Sequence, residues 1–201
     1  MDKDKKIGQE NIVKIFEALN HQIKAHNGSP INLVVCGGTA LTVLNLIDRT
    51  TKDVDVLGLL VEDKGSIFVK KINEFPKWFE KATRIVQRDF VLPENWINTG
   101  PTSQVESGLP EGFEKRLIEK RYGEYLTIYF ISRLDQIHFK LYAAVDRDDY
   151  HIDDLFALKP IDDEIEMATQ WVLTQDVSEE FKLILKDFLR RYNYGNIAER
   201  I

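Results

Sequence analysis

Apolar side chains in the first part of the chain are spaced as in a helix followed by a strand. Over residues 8–26 they recur three and four positions apart, which predicts an amphipathic helix. The Asn-Gly-Ser-Pro stretch at residues 27–30 ends that helix. Ile31–Cys36 is a run of mainly apolar, branched residues, which is typical of a buried strand.

The alternation of helix and strand spacing continues toward the C-terminus. It predicts a helix over residues 39–48, a strand over 52–60, a helix over 66–82 and a strand over 125–131. Residues 98–112 hold three glycines and two prolines, so we expect a loop there that is long enough to be a mobile or a functional segment. From residue 134 onward the spacing is helical, in three or four segments.

This order of elements predicts an α+β fold. Strands alternate with helices in the first two-thirds and helices dominate the last third, which favours a mixed β-sheet flanked by helices with a helical C-terminal segment. We expect residues 1–133 to form the α/β core. Residues 134–201 are expected to form a helical extension packed on that core, as one compact domain.

Composition narrows the class of protein. The 201 residues are 43% hydrophobic, enough to bury a core, and the net charge of −6 argues against nonspecific coating of nucleic acid. The single cysteine cannot form a disulfide within the chain, which fits a reducing compartment. No apolar stretch approaches the roughly 18–20 residues of a membrane span, and the charged N-terminus has no signal-peptide core. We therefore expect a cytoplasmic protein without a membrane partner.

Two features between residues 37 and 55 carry candidate chemistry. Alternate side chains of a strand point the same way, so Asp53 and Asp55 share one face and their repulsion favours a cation such as Mg²⁺ between them. Gly38 and Thr39 begin the preceding helix, where free N–H groups attract phosphate and glycine removes a β-carbon from its path. Phosphoryl or nucleotidyl transfer needs both features side by side.

Simpler interpretations exist for each feature alone. A Gly-Gly pair is usually a turn, and a lone Asp-x-Asp is usually a solvated strand edge. The dinucleotide pattern Gly-x-Gly-x-x-Gly is absent, and no Gly-Lys-Ser/Thr of a Walker P-loop follows. The combination of strand, glycine-led helix and twin-aspartate strand is what favours a nucleotide site.

The combined motif resembles that of the nucleotidyltransferase superfamily, and in particular its bacterial branch of AbiEii-type toxins and related proteins. The residues that match are Gly37, Gly38, Ala40, Leu41, Arg49, Thr51, Asp53 and Asp55. The resemblance implies a nucleotidyltransferase-like fold in which Asp53 and Asp55 are catalytic and hold Mg²⁺. It also implies that Gly37, Gly38, Thr39, Arg49 and Thr51 bind the nucleoside triphosphate, with Arg49 bracing the site.

A second stretch resembles the downstream helix pair of the same family. The matching residues are Lys140, Ala143, Arg147, Asp153, Asp154 and Leu155. Lys140 and Arg147 are seven apart and share a helix face, which would suit a triphosphate. The alternative is a solvated basic face that pairs with Asp148, Asp149 or Asp154.

One part of the family pattern is missing from the sequence. Active relatives usually carry a third carboxylate on a later strand, and the strand predicted over residues 125–131 has Thr127 and Tyr129 in its interior. Other acidic residues lie out of register: Asp89, Glu124 and Asp135. Loss of a general base would slow transfer about 10²–10⁴-fold. Trp96 either stacks on a base or anchors a loop.

Three functions therefore stay open at this point. The first is a Mg²⁺-dependent nucleotidyltransferase that moves a nucleoside monophosphate to RNA, protein or a small molecule. The second is a catalytically inactive module that binds a nucleotide or a partner. The third is a toxin that an antitoxin neutralises. The toxin relatives suggest tRNA as an acceptor and a cognate antitoxin as a partner, and a homo-oligomer is the alternative to that partner.

Overall fold

The computed structural model describes residues 6–147 and 150–201, and the side chain of Arg147 lies outside that description. The chain divides into two compact units, the first ending at Ser132 and the second spanning Arg133–Ile201. The predicted class is confirmed: a mixed sheet of six strands is flanked by helices, and a helical segment follows it.

The first unit carries the sheet. In chain order its elements are α1 (Ile12–Ala25), β1 (Ile31–Cys36), α2 (Gly37–Val43), β2 (Val54–Asp63), β3 (Ser66–Lys70), α3 (Lys77–Phe90), β4 (Ile97–Asn98), α4 (Gln104–Ser107), β5 (Ile118–Arg121) and β6 (Leu126–Phe130). The strand order is β3-β2-β1-β6-β5, and β4 also pairs with β2. β1 runs antiparallel to β2 and parallel to β6, whereas β4 is parallel to β2.

One face of the sheet forms the hydrophobic core with α1 and α3. Side chains that alternate along three neighbouring strands are fully buried there: Leu33, Val35, Val54, Val56, Ile128 and Phe130. Because successive side chains point to opposite faces, Cys36, Asp55 and Tyr129 belong to the other face. The first face stabilises the sheet, and the second carries the polar groups of interest.

The helix predicted over residues 66–82 is confirmed for residues 77–82 and is wrong for residues 66–76, so the chain has no helix before Pro76 in this stretch. The structure has the edge strand β3 followed by α3, which begins only after Pro76. Lys64 and Gly65 both adopt positive φ, +51° and +80°, and such a turn matches the twist of two antiparallel strands. The hairpin places Ile67 and Phe68 on β3, where the sequence pattern had suggested a helical face.

Other predicted boundaries move by a few residues. β1 occupies the predicted range, but α1 begins at Ile12 and α2 covers Gly37–Val43, shorter than the predicted helix. The segment expected to be a loop contains helical turns at Gly100–Ser103 and Gln104–Ser107, and a further turn, Phe113–Arg116, follows it directly.

The second unit is helical, as predicted. Its helices are α5 (Arg133–Arg147), α6 (Tyr150–Ala157), α7 (Asp162–Gln175), α8 (Glu179–Arg191) and α9 (Gly195–Ala198). The Trp171 ring of α7 stacks on Phe139 of α5 at a centroid distance of 5.3 Å. Ser178 caps α8 by accepting a hydrogen bond from the Phe181 amide at 3.2 Å. Within the described part of the chain, every helix is too short or too polar to cross a bilayer.

Candidate functional site

The two motif aspartates lie at the start of β2, with Asp53 directly before its first residue and Asp55 as its second residue. Burial alternates along this stretch: Val54 and Val56 are fully buried, whereas Asp53 and Asp55 are partly exposed. The valines hold the strand against the core, so the carboxylates are directed to the opposite face. The local sequence pattern is enough to produce this arrangement.

The Asp55 carboxylate meets the glycine pair. Asp55 is paired with Cys36, the last residue of β1, and Gly37 follows with φ of +66°. A β-carbon on Gly37 would collide with Asp55 Oδ2. Glycine is therefore required here both by its backbone conformation and by the close approach of a carboxylate. The structure thus brings together the two halves of the sequence motif.

Gly38 makes room for two other motif residues. A β-carbon on Gly38 would lie 2.8 Å from both Arg49 Nη2 and Thr51 Oγ1. The sequence motif predicts that a phosphate approaches the backbone at Gly38. In the structure, the side chains of Arg49 and Thr51 occupy the space beside this glycine. The Arg49 guanidinium is a cation beside Gly38, one residue along the chain from the Asp55 contact.

Asp53 is held by two threonines. The Thr39 hydroxyl donates a hydrogen bond to the Asp53 carbonyl oxygen at 2.7 Å, and Thr39 is fully buried. The Thr51 hydroxyl lies 3.2 Å from Asp53 Oδ1 and 3.3 Å from the Asp53 carbonyl oxygen. Thr51 is itself fixed by paired backbone hydrogen bonds with Ile7. In this geometry Thr39 positions the start of β2, and Thr51 contacts the carboxylate.

Asn98 is a site residue that the sequence analysis missed. It lies directly beside Asp55 in the parallel pair of β2 and β4, and its Nδ2 donates to Asp55 Oδ1 at 3.3 Å. Its Oδ1 accepts a hydrogen bond from the Gly100 amide at 2.9 Å. A strand of two residues has no detectable period, and its pairing with β2 is a long-range contact.

Trp96 fixes the strand that carries Asn98. Its side chain is 1% exposed and its Nε1 donates to the Thr83 carbonyl oxygen at 3.2 Å. The Trp96 carbonyl oxygen accepts a hydrogen bond from the Val54 amide at 2.6 Å. The anchoring interpretation of Trp96 is therefore confirmed, and the base-stacking one is not.

The strand expected to supply a third carboxylate is not next to the aspartates. β6 pairs with β1 and β5, so β1 separates it from β2. Of its two polar residues, Tyr129 has a raised pKa, caused mainly by burial and secondly by the negative charge of Glu119. Within residues 6–147 and 150–201, no three His, Cys, Asp or Glu side chains form a group suited to a metal ion.

The donor set still fits Mg²⁺ in one particular way. Asp53 and Asp55 offer carboxylate oxygens, the ligands that Mg²⁺ prefers, and Mg²⁺ is often bound through one or two carboxylates together with substrate phosphates. The space at Gly37 that a β-carbon would fill is what lets Asp55 reach its position. A site of two carboxylates is thus compatible with a metal that is shared with a polyphosphate.

Lys140 of the second unit is part of a buried ion pair. Its Nζ lies 2.7 Å from Asp154 Oδ2, and the two side chains are only 6% and 5% exposed. His151 Nδ1 is 3.4 Å from the same nitrogen, and the Tyr150 ring centroid is 5.5 Å from it. The alternative of a solvated basic face is therefore wrong for Lys140, because its side chain is buried. The pairing with Asp154 that this alternative included is present.

Arg147 is the other predicted cation. The structure does not describe its side chain, nor residues Asp148 and Asp149. The predicted role of Arg147 in nucleotide binding therefore stays a prediction.

A comparison with protein families decides the wider relationship. The model of a family described as "Nucleotidyltransferase of unknown function (DUF6036)" matches residues 10–194. The chain belongs to this nucleotidyltransferase family. The match spans the twin-aspartate motif, Asn98 and Lys140, and it confirms the superfamily but not the closer resemblance to AbiEii-type toxins. No curated protein and no solved structure matches the chain.

Proposed function

We propose that this protein transfers a nucleoside monophosphate from a nucleoside triphosphate to an acceptor hydroxyl, with Mg²⁺ held by Asp53 and Asp55. The observation that carries the proposal is the contact between the Asp55 carboxylate and Gly37 in a member of a nucleotidyltransferase family. This contact brings one carboxylate of the acidic pair, that of Asp55, next to the glycine at the start of α2. Neither feature alone would distinguish a nucleotide site from an ordinary strand edge.

The chain's own residues have distinct roles in this proposal. Asp53 and Asp55 are the metal ligands. Arg49, whose guanidinium lies beside Gly38, neutralises phosphate oxygens that approach the turn. Thr39 and Thr51 hold Asp53 in place through their hydroxyls. When bound, Mg²⁺ would neutralise charge on the polyphosphate and favour loss of the leaving group.

The proposed reaction exchanges a phosphoanhydride bond of the triphosphate for a phosphoester bond to the acceptor. An acceptor oxygen forms a bond to the α-phosphorus, the bond from that phosphorus to the bridging oxygen breaks, and pyrophosphate leaves. The proton of the acceptor hydroxyl passes to solvent or to a general base. RNA, protein and small-molecule acceptors all satisfy this chemistry, and the toxin relatives suggest tRNA among them.

The experiment that tests this proposal uses each nucleoside triphosphate labelled at the α-phosphate. The full chain is incubated with Mg²⁺, total RNA and lysate protein, and the polymer that takes up label is identified. Asp53→Asn and Asp55→Asn are expected to reduce labelling to the level without protein. Asp63→Asn, an exposed carboxylate at the far end of β2, is the matched control and should label as the wild type does.

A second candidate is a catalytically inactive member of the family that binds a nucleotide or a partner. It is favoured by the lack of a third carboxylate beside Asp53 and Asp55 among the described residues. Large exposed apolar side chains in the second unit are also consistent with a partner: Ile161, Met167, Val177, Leu183 and Ile184. Mg²⁺-dependent nucleotide binding without any transfer of label would support this candidate. A cognate antitoxin as that partner stays a prediction from the resemblance alone.

A further inference from the structure

Asn98 occupies the strand position from which a third side chain can reach the aspartate pair. Side chains opposite each other on neighbouring strands project from the same face of a sheet. Asn98 is opposite Asp55 in the β2–β4 pair, and the two side chains are in contact at 3.3 Å. Buried neighbours fix this position, because Ile97 and Trp96 hold β4 against the first unit's core.

The orientation of the Asn98 amide can be assigned from its partners. The oxygen and nitrogen of an asparagine amide are normally distinguished by their hydrogen bonds. The Gly100 N–H is a donor, so the atom 2.9 Å from it must be the oxygen. The –NH₂ group is then the part that faces Asp55. Asn98 therefore presents a hydrogen-bond donor to the site and adds no negative charge.

We propose that Asn98 is a positioning residue that holds the Asp55 carboxylate and keeps the acidic pair at two charges, so that a divalent cation binds tightly only together with a polyphosphate. The inference depends on the proposed function, since it assumes that Asp53 and Asp55 hold the cation. Its physical basis is that affinity for a hard cation rises with the number of charged ligands. With an amide at residue 98, phosphate oxygens supply the ligands that a third carboxylate would provide.

The decisive variant is Asn98→Asp, which changes the charge but little else. A carboxylate at this position still accepts the hydrogen bond of the Gly100 amide. It loses the donor to Asp55 and places a third negative charge beside the pair. We expect the variant to bind Mn²⁺, a spectroscopic substitute for Mg²⁺, at least about tenfold more tightly than the wild type when no nucleotide is present.

Asn32→Asp is the matched control for this change. Asn32 is an exposed residue of β1, four positions before Cys36, so the substitution alters the net charge equally without adding a ligand to the site. Free Mn²⁺ is followed by electron paramagnetic resonance, and thermal unfolding is measured in parallel with and without the ion. We expect Mn²⁺ to raise the melting temperature of Asn98→Asp, because binding to the folded state stabilises it, and to leave the control unchanged.

The wild type is titrated in the same way with and without a triphosphate that has a methylene group between the α- and β-phosphorus. Mn²⁺ binding that appears only with this analogue supports the inference. Equally tight Mn²⁺ binding by the wild type and by Asn98→Asp in the absence of nucleotide would overturn it. If the wild type binds no nucleotide but Asn98→Asp gains a Mn²⁺ site, the proposed function and the requirement for a polyphosphate both fail, and only the effect of residue 98 on cation affinity holds.

A second variant covers the case in which Asn98→Asp does not fold. Asn98→Ala removes the donor to Asp55 without adding charge, so Mn²⁺ binding in the presence of the analogue should weaken about tenfold, the loss of roughly one hydrogen bond to a charged group. Affinity equal to that of the wild type would show that Asn98 does not position Asp55.

Discussion

The carboxylate of Asp55 lies beside Gly37, so close that a β-carbon on Gly37 would collide with Asp55 Oδ2. Gly37 also has a φ of +66°, which side chains disfavour. We therefore expect Gly37→Ala to lower the free energy of unfolding by about 1–3 kcal/mol. Urea unfolding followed by circular dichroism measures this. Gly195→Ala is the control, since a β-carbon there would have no atom within 4 Å; equal stability of the two variants would contradict the close contact.

Thr39 offers a second prediction, because its hydroxyl is buried and donates to the Asp53 carbonyl oxygen. Thr39→Val keeps the shape of the side chain but removes the donor, so we expect the protein without ligand to lose about 1–3 kcal/mol of unfolding free energy. Thr39→Ser keeps a hydroxyl and should be close to the wild type. A Thr39→Val variant as stable as the wild type but weaker in nucleotide binding would show instead that the hydroxyl serves a ligand.

Lys140 and Asp154 form a buried pair, so breaking it should be costly. Lys140→Met leaves the Asp154 carboxylate buried without its cation, and we expect a loss of about 3–5 kcal/mol of unfolding free energy. The double variant Lys140→Met/Asp154→Leu removes both charges and should recover most of that loss. The free energies of unfolding of the wild type, the two single variants Lys140→Met and Asp154→Leu, and the double variant are compared by urea unfolding. A loss below about 1 kcal/mol in Lys140→Met would argue against a tight, buried pair.

Glu164 gives a prediction for pH. Hydrogen bonds from Arg133 are the main cause that lowers the pKa of this carboxyl. A carboxylate whose pKa is lower in the folded state than in the unfolded state stabilises the fold at pH values above the unfolded-state pKa of about 4.5. This contribution to the free energy of unfolding is lost as the pH falls from about 4.5 through the lowered pKa of the folded state. Glu164→Gln should therefore flatten the fall of unfolding free energy in that window. Glu166→Gln, at an exposed ion pair, is the control. An unchanged acid slope in Glu164→Gln would contradict the prediction.

The sequence predicted the parts of this protein that depend on local periodicity. The strand Ile31–Cys36 and the alternation of partly exposed aspartates with buried valines over residues 53–56 follow from the period of a strand, and the structure has both. The first part of the helix expected over residues 66–82 is instead a strand, because the turn at Lys64 and Gly65, rather than the spacing of apolar residues, decides the conformation there.

Other features of the site depend on contacts between distant residues. Asn98 belongs to a strand too short to show a pattern, and only its pairing with β2 brings it to Asp55, 43 residues away. The sequence offers Asp154 as a partner of Lys140, but the burial of the pair depends on the packing of two separate helices, α5 and α6. Long-range pairing of this kind leaves no periodic signal in a single sequence.

Calorimetric titration of the full chain with the α,β-methylene triphosphates at millimolar Mg²⁺ tests the central claim most directly. We expect at least one of them to bind in a Mg²⁺-dependent manner, and the binding heat to disappear in Asp53→Asn and in Asp55→Asn but to persist in Asp63→Asn. Absence of binding to the wild type, or binding that survives both substitutions at Asp53 and Asp55, would contradict the claim that these two aspartates form a metal–nucleotide site.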